Sequence, residues 1–257
     1  MHLFERDGAT FVPTGLTRGP WDPNAMNGGA VTALCARAAE MHDVEGAARS
    51  DRQLLARLTV DLVRPAPLAP LTVRTATVRP GRKVQLVGVE VLAGGQVVAR
   101  ASALRMRTAE LPLPRPAEDG APPFVSDPAR LVRMESDEPY FHSHALEIRR
   151  SSGQRPAFVW IRMTCGVVEG EDPTPQQRAA AIADMGSGMS PVVPFAEWTF
   201  PNVDVDLHLH RPPRGDWLSL TCSTQAGPFG VGVAVSAMSD TEGRCGQVVQ
   251  AVLLERR

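Results

Sequence analysis

The stretch from Pro23 to Leu34, PNAMNGGAVTAL, opens an alanine-rich helix on a pair of glycines, Gly28 and Gly29. Two glycines at a helix entrance cost backbone entropy, so something should approach that backbone closely. A phosphate, an acyl carbonyl and a neighbouring helix are the candidates. Far along the chain, Asp184 stands in AAAIADMG, a helical stretch. Read as a mid-helix residue, it has low propensity and gains nothing from a helix N-terminus. Either it faces solvent, or it is enclosed, and an enclosed carboxyl has a raised pKa and can act as a general base. Gln250, in QVVQAVLLER, shares strand parity with Val248 and Val252. On that apolar face its amide must hydrogen-bond something, unless it is an edge residue bonding to backbone. Asn202 precedes VDVDLHLH, an ordinary place for a turn asparagine. Asp204 and Asp206 follow at period two and are expected to share one exposed face.

Several chemistries are excluded. There is no G-x-S-x-G elbow; Gly186-Ser187-Gly188 is tighter and lacks a preceding strand. The Rossmann and P-loop fingerprints are missing. His208 and His210 lie on a presumed strand without a Glu or Cys to complete a metal-ligand pattern, so they read as one outward and one packed histidine. His142 and His144 read as surface or structural, and no metal site is expected. The cysteines, Cys35, Cys165, Cys222 and Cys245, show no C-x-x-C spacing, so a reducing cytosol is the simplest setting. The N-terminus lacks a leader pattern, and no apolar run of about 18 residues occurs. A cytoplasmic location without a membrane span is therefore expected. A formal net charge of −1 gives no reason to expect a nucleic-acid partner.

These residues must be positioned by a repeated unit. Alternating apolar and polar residues run through Thr72–Arg79, Val84–Leu92 and Val97–Met106, divided by Arg79-Pro80-Gly81 and Gly94-Gly95. With a strand near Leu58–Val63 this predicts a long antiparallel meander. Gly28 to Met41 upstream reads as one helix. Val203 to Arg256 repeats the order, and Arg64-Pro65 aligns with Arg211-Pro212 at an offset of 211 − 64 = 147. The same offset carries Gly28 onto Pro175, which opens PQQRAAAIADMGSGM with Thr174 as its N-cap. Between the units, AELPLPRPAEDGAPPFVSDP is proline-rich and aperiodic, an extended linker. The expected division is residues 1–107, a linker over 108–156, and residues 157–257, with Ala157–Val168 as the second unit's first strand. The fold class is α+β, each long antiparallel sheet wrapping its apolar face around a central helix, and the sheets joined edge to edge. This pattern resembles the tandem, or double, hotdog.

The motifs MNGGAV, A-x-x-A-D around Asp184, His210-Arg211-Pro212 and Val249-Gln250, in this order on a duplicated frame, resemble the type II acyl-CoA thioesterases over nearly the whole chain. The resemblance implies hydrolysis of a fatty acyl-CoA without a covalent intermediate, and without metal or cofactor. In that family an Asp, a Thr- or Ser-type residue and a Gln hold the attacking water. Carried over, these fall on Asp184, Asn202 and Gln250, with an amide replacing a hydroxyl at Asn202. Gly28 and Gly29 are then the expected oxyanion donors at a helix N-terminus. Met185, Met189 and Val31 are candidates for the acyl groove. The alternatives are a non-catalytic acyl-CoA or lipid-binding hotdog protein and a hotdog enoyl-CoA hydratase or dehydratase. The hydratase is disfavoured because the helices carry no histidine beyond His42 at one end. Acyl-CoA is the implied partner, and assembly into a homo-oligomer is left open.

Overall fold

A computed structural model describes residues 1–44, 53–112, 138–150 and 157–257, with Pro122 alone between them. Most of the proline-rich stretch falls outside the described residues. The chain begins with a hairpin, β1 (His2–Asp7) and β2 (Thr10–Pro13), and then enters α1 (Gly28–Met41). The strands β3 (Gln53–Asp61), β4 (Leu71–Arg79), β5 (Val84–Ala93) and β6 (Gln96–Arg107) follow. Alternating residues of β5 are buried against α1, as expected for a sheet with one face on the core.

A π turn, Phe141–Ala145, leads into β7 (Leu146–Arg150), then β8 (Ala157–Met163) and β9 (Gly166–Val168). The span 108–156, expected as linker, thus contains a strand whose Leu146 and Ile148 are buried. The span Ala157–Val168, expected as one strand, is two. The helical region is α2 (Pro175–Ala183) and a single further turn, α3 (Gly186–Met189). Next come β10 (Trp198–Thr199), β11 (Asp204–Leu209), β12 (Trp217–Ala226), β13 (Val231–Asp240), β14 (Gly243–Leu253) and β15 (Glu255–Arg256).

Thirteen of these strands form one sheet in the order β7-β8-β12-β13-β14-β11-β3-β6-β5-β4-β2-β1-β9. Apart from β9, the order is a palindrome about the β11–β3 seam. Strands β5 and β13 begin at 84 and 231 and end at 93 and 240, both 147 apart. Helices α1 and α2 begin at 28 and 175, again 147 apart. Thr174 caps α2 by accepting from Gln177 N–H at 3.1 Å. At the seam, Thr59 pairs with Asp206 and donates its hydroxyl to Oδ1 at 2.7 Å across 147 residues. Equivalent residues of the two units therefore face each other, and a local two-fold passes between them. The edge strands that would have been exposed are consumed in making one sheet.

The helices lie together on the buried face. Glu40 on α1 accepts from Thr174 Oγ1 at 2.9 and 3.0 Å, from Gln176 Nε2 at 2.7 Å and from Gln177 Nε2 at 2.6 Å. Gln176 in turn accepts from Leu55 N–H on β3. Arg105 closes the end of α1 by donating to the carbonyls of Ala39 and His42 at 3.0 and 2.7 Å. Glu40 thus clasps the N-terminus of α2 to the C-terminus of α1. Removing it leaves three side-chain donors without their acceptor. Glu40→Ala is expected to lose about 1–3 kcal/mol of stability, while Thr59→Val, at the half-exposed seam, loses about 1 kcal/mol or less. Urea melts of the two variants check the order.

Candidate active site

Asp184 lies where α2 ends, as its C-cap with φ −67° and ψ −12°, not inside a continuous helix. The break has a local cause. The Asp184 carbonyl accepts from Asn202 Nδ2 at 2.8 Å and from Gln250 Nε2 at 3.1 Å instead of continuing the helical ladder. Gly186 then turns the chain against β13 and β14, where a Cβ would lie 2.6 Å from both Gln250 Oε1 and Ser236 Oγ. Gln250 is 1 % exposed, and its Oε1 accepts from Ser187 N–H at 3.3 Å. An amide on the apolar face of β14 is thereby satisfied by the backbone of the break.

Asn202 enters just ahead of β11. Its Nδ2 also donates to Asp184 Oδ1 at 2.9 Å, and its Oδ1 accepts from Ser187 Oγ at 2.6 Å. Asp184, Asn202 and Gln250, separated by up to 66 residues, are brought into one network. Ser187 joins all of it and is the member the sequence reading missed. Its only signal was a serine between two glycines directly after the helix.

The other wall is the start of α1. A Cβ added to Gly28 would lie 2.6 Å from Asp184 Oδ1 and 2.9 Å from Leu62 Cδ1. One on Gly29 would lie 2.5 Å from the Ala181 carbonyl and 2.7 Å from Phe141 Cε1. The paired glycine is therefore needed for two approaches at once, a carboxylate at Gly28 and a neighbouring helix at Gly29. The two N–H groups differ. Asn27, the N-cap of α1, accepts from Gly29 N–H at 2.8 Å, and the same N–H reaches the Asp184 carboxylate. Among the described residues nothing accepts from Gly28 N–H, which the helix cannot satisfy internally. Of the two N–H groups expected as oxyanion donors, that of Gly29 is committed to Asn27 and Asp184, and that of Gly28 has no acceptor among the described residues.

Asp184 is 8 % exposed, and its pKa is raised from 3.8 to about 6. Burial is the main cause, opposed by the bonds from Asn202 and Gly29 N–H. The local two-fold does not generate a second site of this kind. Position 184 − 147 = 37 is an arginine, paired with Glu171 through two bonds of 2.5 Å and stacked over Phe11. Pro175, equivalent to Gly28, has no N–H.

The remaining candidates fall elsewhere. Val31 is 1 % and Met185 6 % exposed, both within the core, and Met189 is partly buried against it. His208 and His210 both face outward, correcting the expectation of one packed histidine: two residues apart on a strand share a face. Asp206 is engaged at the seam, and Asp204 Oδ1 accepts from Ala251 N–H at 2.5 Å. His142 is buried on the π turn and His144 exposed. All four cysteines are buried and free, their thiol pKa values pushed up by burial. Among the described residues, no group of three His, Cys, Asp or Glu side chains could hold a metal ion, and no helix is long and apolar enough to cross a membrane.

A one-sheet tandem of two helix-backed units is the hotdog architecture in duplicate. The solved structures agree. A conserved hot dog fold protein from Alicyclobacillus acidocaldarius superposes with a TM-score of 0.71 at 19% identity, over 98% of this chain and 95% of that one. The acyl-CoA thioesterase II TesB2 from Mycobacterium marinum gives 0.67 at 16% identity, over 95% and 96%. The tesB protein from Mycobacterium avium subs paratuberculosis gives 0.66 at 18% identity, over 98% and 96%. Among curated proteins, none matches the chain in sequence. Residues 17–106 match the acyl-CoA thioesterase N-terminal domain, and residues 107–254 match the acyl-CoA thioesterase C-terminal domain. The chain belongs to the acyl-CoA thioesterase family.

The raised pKa of Asp184 has a sign that can be tested. The folded chain holds this proton to a higher pH than the unfolded chain does. Stability therefore falls as pH rises from about 4 to about 6 and stays lower above. Asp184→Asn removes that loss, which for a shift of this size is roughly 3 kcal/mol. Chemical denaturation should find the variant more stable than wild type at pH 8, with the gap closing at pH 4.

Proposed function

We propose that the chain hydrolyses a fatty acyl-CoA to the free acid and CoA, with Asp184 as the base that activates water. The observation carrying this reading is the buried Asp184 carboxyl, its pKa raised to about 6, set directly against Gly28, whose N–H has no acceptor among the described residues. The water's oxygen attacks the thioester carbonyl as Asp184 takes one of its protons. Charge developing on the carbonyl oxygen is met by Gly28 N–H and the positive end of α1. The C–S bond then breaks, and the proton held by Asp184 passes to the departing CoA sulfur. No covalent acyl-enzyme is needed.

Gln250 and Asn202 act in this scheme chiefly by fixing Asp184. Both Nδ2 hydrogens of Asn202 and one of the two on Gln250 Nε2 are spent on the Asp184 carbonyl and carboxylate. Leu62, beside Gly28, and the stacked rings of Trp21 and Phe195, backed by the buried Phe200 two residues from Asn202, offer the apolar surface an acyl chain requires. Trp21 and Phe200 meet edge-on at 4.7 Å. The acyl chain is placed there, not against Val31 or Met185, which the core encloses.

Free-thiol release from short, medium and long acyl-CoAs tests the proposal. Wild type should turn over at least one class, with an acid limb near pH 6. Asp184→Asn should lose about 10²–10⁴-fold in kcat. Gly28→Ala should also lose most of its rate, because its methyl displaces the carboxylate. Activity surviving in Asp184→Asn would mean that the base lies elsewhere. Saturable acyl-CoA binding with no turnover by wild type would favour a binding protein.

A further inference from the structure

We infer that Ser187 supplies the hydroxyl that holds the attacking water, a role for a residue on the helical turn after Asp184 that substitutes for the hydroxyl missing at Asn202. The inference rests on Asp184 acting as the base. An attacking water has two protons to place, one on the base and one on a second acceptor, so that a lone pair points at the carbonyl. The amide groups around Asp184 offer little for this purpose. Asn202 has both Nδ2 hydrogens directed at Asp184 and its Oδ1 occupied by Ser187. Gln250 Oε1 is turned to Ser187 N–H, and its Nε2 to the Asp184 carbonyl.

Ser187 differs from both. Its one proton goes to Asn202 Oδ1 at 2.6 Å, which leaves the hydroxyl lone pairs as acceptors. Its oxygen and Asp184 Oδ1 are bonded to opposite ends of the same Asn202 amide. The attacking water is placed between these two oxygens, donating one proton to each at ordinary lengths of about 2.8 Å. Ser187 is 5 % exposed, so a water held there is screened from bulk exchange. The partner of the hydroxyl is an amide carbonyl, which cannot take its proton, so Ser187 is not activated as a nucleophile.

The test runs Ser187→Ala, Ser187→Cys and Ser187→Thr beside Asp184→Asn in the thiol-release assay, with a thermal melt of each. The alanine variant should lose at least tenfold in kcat with KM within twofold. Threonine, which keeps the hydroxyl, should recover most of that loss. The cysteine variant reads the same loss if alanine unfolds the turn. Ser187→Ala within threefold of wild type, or a loss confined to KM, would overturn the assignment. An acyl adduct on Ser187 in acid-quenched protein, seen by mass spectrometry, would overturn it in favour of a nucleophile. If Asp184→Asn itself keeps activity, the failure belongs to the base and not to Ser187.

Discussion

The site depends on one close approach, that of the Asp184 carboxylate to the backbone of Gly28, with no room for a side chain between them. Two features make it possible. The facing helices are built from small residues, with Ala30, Ala33 and Ala36 buried on α1 and Ala179 to Ala181 on α2, so their axes can draw close. The second is the break at Asp184, where Asn202 and Gln250 take a carbonyl that a continuous helix would have used for itself. A carboxyl at the negative end of α2 is unfavourably placed by its own helix and favourably placed by the start of α1. Its position is therefore held by side chains from β14 and from just ahead of β11 rather than by helix propensity.

Duplication explains why such an approach exists at all and why it occurs once. The seam pairs Thr59 with its own equivalent, Asp206, and the two helices run past each other about that axis. Each helix start thus meets the other helix's end. At one meeting the residues are Asn27, Gly28 and Gly29 against Ala181 and Asp184. At the other they are Thr174, Gln176 and Gln177, around Pro175, against Glu40. The second meeting has become a clasp: Glu40 is fully engaged by three side chains, and Pro175 offers no donor. One frame has been used for structure at one end and for an open donor at the other.

The frame was legible in the sequence because repetition survives where side chains diverge. Period-two alternation located β4 to β6, and an offset taken from one Arg-Pro dipeptide carried α1 onto the start of α2. The strand β7 was missed because it is the equivalent of β1, a short first strand. In the second unit it follows a proline-rich stretch that masks its periodicity. Asp184 stood out as a polar residue among alanines. Its place at a helix break could not be read, because the break is made by Asn202 and Gln250, distant in the chain. Ser187 was hidden for the same reason. A serine between glycines has no meaning until Asn202 is set beside it.

Burial alone does not distinguish a working carboxylate from a structural one; the company it keeps does. Glu171 is held by the guanidinium of Arg37, which brings its carboxyl below the usual range, and that pairing stabilises the fold at neutral pH. Glu40 is half-buried, and burial raises its carboxyl too, but Thr174, Gln176 and Gln177 all donate to it and close it in. Asp184 is met by an amide side chain and one backbone N–H, both neutral, so burial prevails and its pKa rises to about 6. A fold under pressure for stability alone would have paired it or made it apolar. The proposed role of Asp184 as a base accounts for a buried carboxyl kept without a cationic partner beside Gly28, whose N–H has no acceptor among the described residues.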